Sequence, residues 1–381
     1  MTLFYSVIQF LFWFAYGTAL SFSSVYLLAC GLDNTMIGVI SSAACALSVL
    51  LQPLLAAYAD RERSLSIKTI LLMLIALLLA VGVLLILLSP PGAALSGLLL
   101  GGAILCMQIS LPMVNALAAA MINAGKKLNF SLARSFGSIG YAVMSFSVGR
   151  LAAVHGASVL PLILSLNAAC LLIAVFAFPF RKAPAPQSAA PGSSGGVIAF
   201  LRRYPAFSAV LCGCALIYTG HVLINNFLYQ IVTFKGGNSE HMGIIMGLAG
   251  LLEILTMVFF PTLLKWRKCS FWFRICGVFF TLKCLCTLLA GSMGAMYAVQ
   301  LIQPLGWGLM TVASVYWANE QMAPQDTVKG QAYMTMSLSI GTIIGSLIGG
   351  WLIDSAGVSA MLIASILLSA LGTGINLLKA K

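Results

Sequence analysis

Residues 67 to 88 read IKTILLMLIALLLAVGVLLILL, an apolar run with a single charged side chain, Lys68, near its start. A bilayer core about 30 Å thick needs roughly 20 apolar residues for one helical crossing. In lipid every backbone polar group must be satisfied within the protein, and a run that is apolar on all faces does not fit the short alternating strands of a membrane barrel. The segment is therefore predicted to be a membrane-spanning helix.

Runs of this kind fill the chain of 381 residues, which is 61% hydrophobic and 7% charged, with a mean hydropathy of +1.05. These values lie outside the range of soluble domains and predict an all-α membrane protein of about twelve helices. The first six predicted spans are Leu3 to Cys30, Thr35 to Ala59, Ile67 to Leu88, Ala94 to Asn123, Leu128 to Val154 and Ala157 to Phe178. The second six are Ala206 to Phe234, His241 to Leu264, Phe271 to Ala290, Met293 to Met322, Val328 to Ile353 and Val358 to Leu378.

The net charge of +12 is an orientation signal. Of the 20 Lys and Arg residues, all but Arg150, Lys235 and Lys283 lie in or beside one alternate set of loops. By the positive-inside rule these loops and both termini are expected in the cytoplasm, with the protein integral to the plasma (inner) membrane. The same distribution argues against a nucleic-acid surface.

Targeting, redox and enzymatic signals are weak. The first predicted span begins almost at Met1 without a basic region before it, so we expect a retained span and no cleaved signal. The ten cysteines lie mostly inside predicted spans, where Cys behaves as a small hydrophobe, and no metal or cofactor is expected. A Gly-x-Ser-x-Gly match at Gly192 to Gly196 has no strand before it and no helix elbow, so we do not expect an enzyme.

A segment rich in Pro, Gly and Ser divides the chain into two halves. Residues 181–205 form this predicted cytoplasmic linker, between an N-terminal six-helix bundle (1–180) and a C-terminal one (206–381). The two halves share a similar short motif, because Gln108-Ile-Ser-Leu-Pro112 in the first half corresponds to Gln300-Leu-Ile-Gln-Pro304 in the second. Parallel repeats place a substrate site near the bilayer midplane at the repeat interface, although prolines are also simply frequent in membrane helices.

Two motifs carry a family resemblance. The second predicted span ends in Leu50-Leu-Gln-Pro53-Leu-Leu-Ala-Ala-Tyr-Ala-Asp60-Arg61-Glu-Arg63, and the fifth contains Ala133-Arg134-Ser-Phe-Gly137-Ser138-Ile-Gly140-Tyr141. These resemble the major facilitator superfamily, in particular its lactose-permease-like branch of oligosaccharide:proton symporters. The resemblance implies two pseudo-symmetric six-helix bundles, the major facilitator fold.

The resemblance also implies site residues. In the branch, the Arg at the place of Arg134 binds sugar hydroxyls and the aromatic at the place of Tyr141 stacks on the sugar ring, with Ser138 in the same motif. Arg134 lies about six residues into its predicted helix, roughly 10 Å from the boundary, so the alternative for Arg134 is snorkelling to the cytoplasm. The alternative for Tyr141 is a ring that faces another helix. The resemblance assigns a cytoplasmic gate to Asp60, Arg61 and Arg63, whose alternative is a solvated loop that merely obeys the positive-inside rule.

The chain departs from the branch at three polar positions. Asn115 stands where lactose permease has a sugar-binding carboxylate, Gln303 replaces a His, and Ile224 replaces an Asp. These replacements put galactoside specificity and the usual proton route in doubt.

Two charged side chains lie deep within predicted spans, and an ionisable group at the bilayer centre costs about 2.5 to 3.5 kcal/mol on insertion scales. Glu253 and Lys283 lie at similar depths, roughly 17 and 18 Å from the cytoplasmic ends of their helices at 1.5 Å per residue. A salt bridge between them would relieve both penalties, and protonation of Glu253 would release Lys283, which is the logic of a proton-coupled switch. The alternative is a fixed structural ion pair.

Further polar and aromatic side chains are candidates for binding the substrate. His221, Asn225 and Asn226 form a polar stripe in the seventh span, where Asn side chains also commonly bridge helices. The remaining candidates of this kind are Asn115, Gln303 and Trp307. Trp13 and Tyr16 in the first span are expected to serve packing.

Together these features predict a secondary active transporter that moves a small polar solute by alternating access. A sugar or glycoside carried with a proton by a monomer is the leading hypothesis. A drug or metabolite exporter of the same fold, and a non-transporting membrane sensor, remain open alternatives.

Overall fold

The chain is all-helical in the part that the computed structural model describes, residues 1–59, 65–88, 92–180, 197–323 and 326–380. Ten helices among these residues are long and apolar enough to cross a membrane, or eleven if the bent pair Ser239–Thr256 and Val258–Trp266 is one span. The prediction of an all-helical integral membrane protein is therefore confirmed.

The helices follow the predicted spans closely. Those of the first half are α1 (Thr2–Leu20), α2 (Ser23–Ala29), α3 (Asn34–Ala59), α4 (Ile67–Leu87), α5 (Ala93–Asn123), α6 (Phe130–His155) and α7 (Val159–Ala177). Those of the second half are α8 (Val197–Arg203), α9 (Pro205–Asn226), α10 (Leu228–Phe234), α11 (Ser239–Trp266), α12 (Cys269–Leu289), α13 (Met293–Val299), α14 (Leu309–Gln321) and α15 (Thr327–Lys379). A 3₁₀ turn and a π-helix separate α13 from α14.

Local sequence explains several helix ends. The side chains of Ser66, Asn129 and Ser292 accept hydrogen bonds from the first turns of α4, α6 and α13, at 3.1, 3.0 and 3.2 Å. Within α15 the backbone of Gly357 has φ 85° and ψ 171°, a left-handed conformation that only glycine adopts without strain. Gly357 thus breaks α15 between its two predicted spans.

The described helices group into two compact units. The N-terminal unit comprises Met1–Gln187 with Gly237–Gly250, and the C-terminal unit comprises Ser188–Gly236 with Leu251–Lys381. In the N-terminal unit α1 packs on α6 and α7, and in the C-terminal unit α9 packs on α15.

Glycine allows α1 and α6 to approach closely in the N-terminal unit. A Cβ added at Gly140 would lie 2.9 Å from Cα and 3.0 Å from the carbonyl carbon of Phe10. Backbone atoms cannot move aside as a flexible side chain can, so the two helices would have to separate.

We therefore expect Gly140→Ala to lower the free energy of unfolding by about 1–3 kcal/mol, the usual range for overpacking. The melting midpoint of the purified protein measures this loss. Gly102→Ala in α5 is the matched control, because a Cβ at Gly102 meets nothing within 4 Å. Equal melting of the two variants would contradict the close approach of α1 and α6.

Candidate functional site

The two predicted buried charges of the C-terminal unit are joined by an amide side chain. Gln303 Nε2 donates to Glu253 Oε1 at 2.7 Å, and Lys283 Nζ donates to Gln303 Oε1. Lys283 and Gln303 are 6% and 4% exposed, and Glu253 is half-buried. These three residues form what we call the acid–amide–lysine chain, which joins α11, α12 and the segment between α13 and α14.

The amide orientation in this chain matches the charges at its ends. A carboxylate only accepts hydrogen bonds and an ammonium only donates them, whereas an amide does both. The NH₂ group of Gln303 therefore belongs beside Glu253 and its carbonyl oxygen beside Lys283, as observed. The sequence predicted a salt bridge between Glu253 and Lys283, and the structure places Gln303 at both charged groups. A role in proton coupling remains a prediction.

A helix distortion sets the position of Gln303. It precedes the π-helix Pro304–Gly308, where Pro304 has no N–H to continue a regular α-helix. The N–H of Gly308 donates to the Gln303 carbonyl at 3.2 Å, and the Thr256 hydroxyl donates to the Pro304 carbonyl at 2.7 Å, which ties the distorted segment to α11. Short π-helical segments occur frequently at functional sites.

Four rings, the aromatic cluster, pack together in the same unit: Tyr218, His221, Phe280 and Trp307. The His221 ring stacks on Trp307 with centroids 4.6 Å apart and planes 13° from parallel. Phe280 meets the His221 ring edge-on at 5.1 Å, and Tyr218 meets Trp307 at 6.1 Å. His221 is buried, whereas Trp307 keeps part of its surface accessible.

The aromatic cluster lies beside the acid–amide–lysine chain. Trp307 follows Gln303 by four residues and Phe280 precedes Lys283 by three, spacings that bring side chains to the same side of a helix. One region of the C-terminal unit thus combines flat apolar surface with buried hydrogen-bonding groups. Such a combination suits a small solute that has both an apolar face and polar substituents.

The polar stripe on α9 divides into two roles. The exposed Asn225 has its Nδ2 atom 2.5 Å from His221 Nε2, so it extends the aromatic cluster. Asn226 instead donates to Ser346 Oγ at 2.8 Å and bridges α9 to α15. The helix-bridging alternative thus describes Asn226 better than Asn225.

In the N-terminal unit, Arg134 lies against an aromatic ring. Its guanidinium carbon is 4.2 Å from the centroid of Trp13. Trp13 Nε1 donates to Gln9 Oε1 at 3.1 Å, Gln9 Nε2 donates to the Tyr5 hydroxyl at 2.6 Å, and Tyr5 donates to the Val114 carbonyl at 2.9 Å. We call Tyr5, Gln9 and Trp13 the tryptophan chain. It joins α1 to α5 and ends under Arg134 on α6.

The remaining candidates of this unit occupy varied surroundings. Tyr141 shares a 3.1 Å hydrogen bond with the Ser21 hydroxyl, so its ring faces the end of α1. Ser138 and Asn115 are half-buried, and Asn115 directly follows the Val114 carbonyl that accepts from Tyr5. The binding roles of these residues remain predictions.

Sequence reasoning missed part of both regions. Trp13 was expected to serve packing, and Gln9, Tyr218 and Phe280 were not singled out. A signal was present for Gln9, since Tyr5, Gln9 and Trp13 recur every four residues along one side of a helix. Tyr218 and Phe280 had no comparable signal, because aromatic residues are common in membrane helices.

Two further predictions concern a gate and a metal. The gate residues Asp60, Arg61 and Arg63 lie outside the described residues. Within the described ranges, no group of three or more His, Cys, Asp or Glu side chains is arranged to hold a metal ion.

The long apolar helices define an integral membrane protein. The sequence matches the MFS_1 like family over residues 2–364. The chain therefore belongs to this family of the major facilitator superfamily and is a transporter of that fold.

Comparison with individual proteins agrees with this assignment. Among solved structures, the nucleoside transporter NupG has a TM-score of 0.80 at 16% identity, covering 99% of this chain and 97% of NupG. A peptide transporter, POT, has a TM-score of 0.75 at 12% identity, covering 99% of this chain and 93% of POT. At these identities the likeness shows the fold alone.

A curated relative is "Major facilitator superfamily domain-containing protein 6-like" from Danio rerio. It is 28% identical to this chain over 195 residues, which are 50% of this chain and 36% of the relative. The match thus spans about a third of that protein.

Proposed function

We propose that this transporter carries a sugar or other glycoside together with a proton by alternating access. In this proposal it acts as a monomer in the plasma (inner) membrane, with both termini in the cytoplasm. We propose twelve spans in two six-helix bundles, with Gly357 separating the last two. Its bundles are residues 1–180 and 206–381, joined by a linker at 181–205.

The acid–amide–lysine chain is the observation that carries proton symport. With Glu253 ionised, the Gln303 amide is polarised between a carboxylate and an ammonium. Protonation of Glu253 removes the negative charge, so the amide loses its strong acceptor and its hold on Lys283 weakens. Uptake of one proton therefore changes the hydrogen bonding of three helical segments together.

The aromatic cluster supports a glycoside as the substrate. Trp307 offers part of one ring, and the apolar face of a sugar or a heterocyclic base packs well on such a surface. Arg134 supplies a planar fork of N–H donors suited to neighbouring hydroxyls. A nucleoside has both a flat base that can pack on a ring and a sugar with neighbouring hydroxyls. The similarity in fold to a nucleoside transporter is a further reason to test nucleosides.

Uptake by proteoliposomes under an inward proton gradient tests the proposal. The probes are radiolabelled uridine, melibiose and glycylsarcosine, which represent nucleosides, disaccharides and peptides. We expect saturable, gradient-driven accumulation of uridine or melibiose. Accumulation of glycylsarcosine alone would contradict a glycoside substrate and indicate a peptide instead. Flux indifferent to the proton gradient would argue against symport, and binding of a probe without flux would favour a non-transporting sensor.

Single and double variants that neutralise Glu253 and Lys283 test the acid–amide–lysine chain. We expect Lys283→Met and Glu253→Leu each to lower the melting midpoint more than the double variant does. Glu253→Leu leaves the buried Lys283 ammonium without its opposite charge, a loss of about 3–5 kcal/mol, and Lys283→Met leaves the half-buried Glu253 carboxylate at a smaller loss. An apolar replacement of both is far less costly. Lys265→Met, at an exposed position of α11, is the control. Additive losses in the double variant would mean that the two charges act independently.

A further inference from the structure

We infer that Trp13 is a positioning residue for Arg134, and that the tryptophan chain sets how strongly the N-terminal unit binds the hydroxyls of a glycoside. The inference rests on the proposed function, in which Arg134 contacts the solute. It assigns a role in binding to Trp13, Gln9 and Tyr5, beyond packing of α1.

The geometry of the stack favours such a role. The guanidinium carbon of Arg134 lies 4.2 Å from the Trp13 ring centroid, well within cation–π range. All N–H donors of a guanidinium lie in its plane. The contact with the ring therefore limits the directions in which these donors point, and it restricts a long side chain that otherwise loses rotamer freedom when a solute binds.

Trp13 is itself held in place. Its indole N–H donates to Gln9, and the fully buried Gln9 and Tyr5 side chains pass the connection on to the Val114 carbonyl of α5. Because buried polar side chains are costly unless satisfied, the three residues specify one orientation of the indole.

Gly137 provides the room for the contact between Trp13 and Arg134. A Cβ at this position would lie 3.0 Å from a terminal guanidinium nitrogen of Arg134 and 3.0 Å from Trp13 Nε1, and it would collide with Trp13 Cδ1. The ring therefore reaches the side of α6 that holds Arg134 because residue 137 has no side chain.

Kinetics of uridine uptake test the inference in the full-length protein. We expect Trp13→Leu to raise the KM by about 5-fold with Vmax little changed, since a cation–π contact between half-buried groups is worth about this much. Trp13→Phe keeps a ring and is expected to recover most of the affinity. Trp351→Leu is the matched control, because this tryptophan is 58% exposed on α15. A loss confined to Vmax would show a structural role and overturn the inference.

A second readout does not depend on transport. Phenylglyoxal modifies arginine, and peptide mass spectrometry of the purified protein gives the rate at Arg134. We expect a several-fold faster reaction in Trp13→Leu and rates near wild type in Trp13→Phe and Trp351→Leu. If Trp13→Leu does not fold, Gln9→Leu takes its place, since it frees the indole and leaves the ring present.

The two readouts separate two failures. An unchanged Arg134 rate in the folded variant overturns the role of Trp13, whatever uptake shows. A faster rate in a protein whose wild type takes up neither uridine nor melibiose would leave the positioning of Arg134 standing and contradict the proposed function.

Discussion

Glu253→Gln is expected to abolish accumulation of uridine or melibiose driven by a pH gradient while preserving exchange of the same solute across the membrane. The amide oxygen of Gln can accept from Gln303 Nε2 as the carboxyl oxygen of Glu253 does. The variant thus resembles the protonated carrier, which can cycle loaded. It cannot release a proton, so net symport stops. Uptake and counterflow in the same proteoliposomes measure the two activities.

The control for this variant is Glu320→Gln, which removes a carboxylate at an exposed position of α14. We expect it to accumulate solute like the wild type. Gradient-driven uptake that survives in Glu253→Gln would show that another group carries the proton or that transport is not proton-coupled. If Glu253→Gln loses both exchange and accumulation, Glu253 would instead be assigned to substrate binding.

Arg134→Ala has the second large expected effect, at least a ~100-fold loss of affinity for the transported solute. Two charge-assisted hydrogen bonds at about 1.5–3 kcal/mol each account for a loss of this size. Arg134→Lys keeps the charge but not the planar fork, so an intermediate affinity is expected. Scintillation proximity binding of radiolabelled solute to purified protein measures all three.

Arg150→Ala is the matched control for Arg134→Ala, since Arg150 is an exposed arginine on the same helix, α6. Its affinity is expected to equal that of the wild type. Wild-type affinity in a folded Arg134→Ala protein would show that Arg134 does not bind the solute. It would also contradict the proposed role of Trp13 in substrate affinity.

The helices were predictable because the bilayer leaves few alternatives. In lipid an apolar run such as residues 67–88 has to satisfy its backbone internally, and helix α4 (Ile67–Leu87) follows. The π-helix Pro304–Gly308 was not predicted, although Pro304 had been noted. Proline shows that a regular helix is disturbed, but neighbouring contacts such as the Thr256 hydroxyl determine the form of the distortion.

The candidate site was predictable in its charges and not in its connections. Glu253 and Lys283 stood out because buried charge is costly wherever it occurs in a span. That Gln303 joins them depends on the packing of three helical segments, which spacing along one helix does not reveal. Trp13 was interpreted as packing for the same reason, since its partner Arg134 lies on a different helix.

Simultaneous measurement of proton and solute flux tests the central claim most directly. Proteoliposomes loaded with the pH indicator pyranine receive radiolabelled uridine or melibiose without an imposed gradient. The proposal predicts that solute entry acidifies the lumen in the wild type, and that Glu253→Gln exchanges solute without acidification. Solute entry with no proton movement in the wild type, or equal acidification in Glu253→Gln, would contradict proton symport through Glu253.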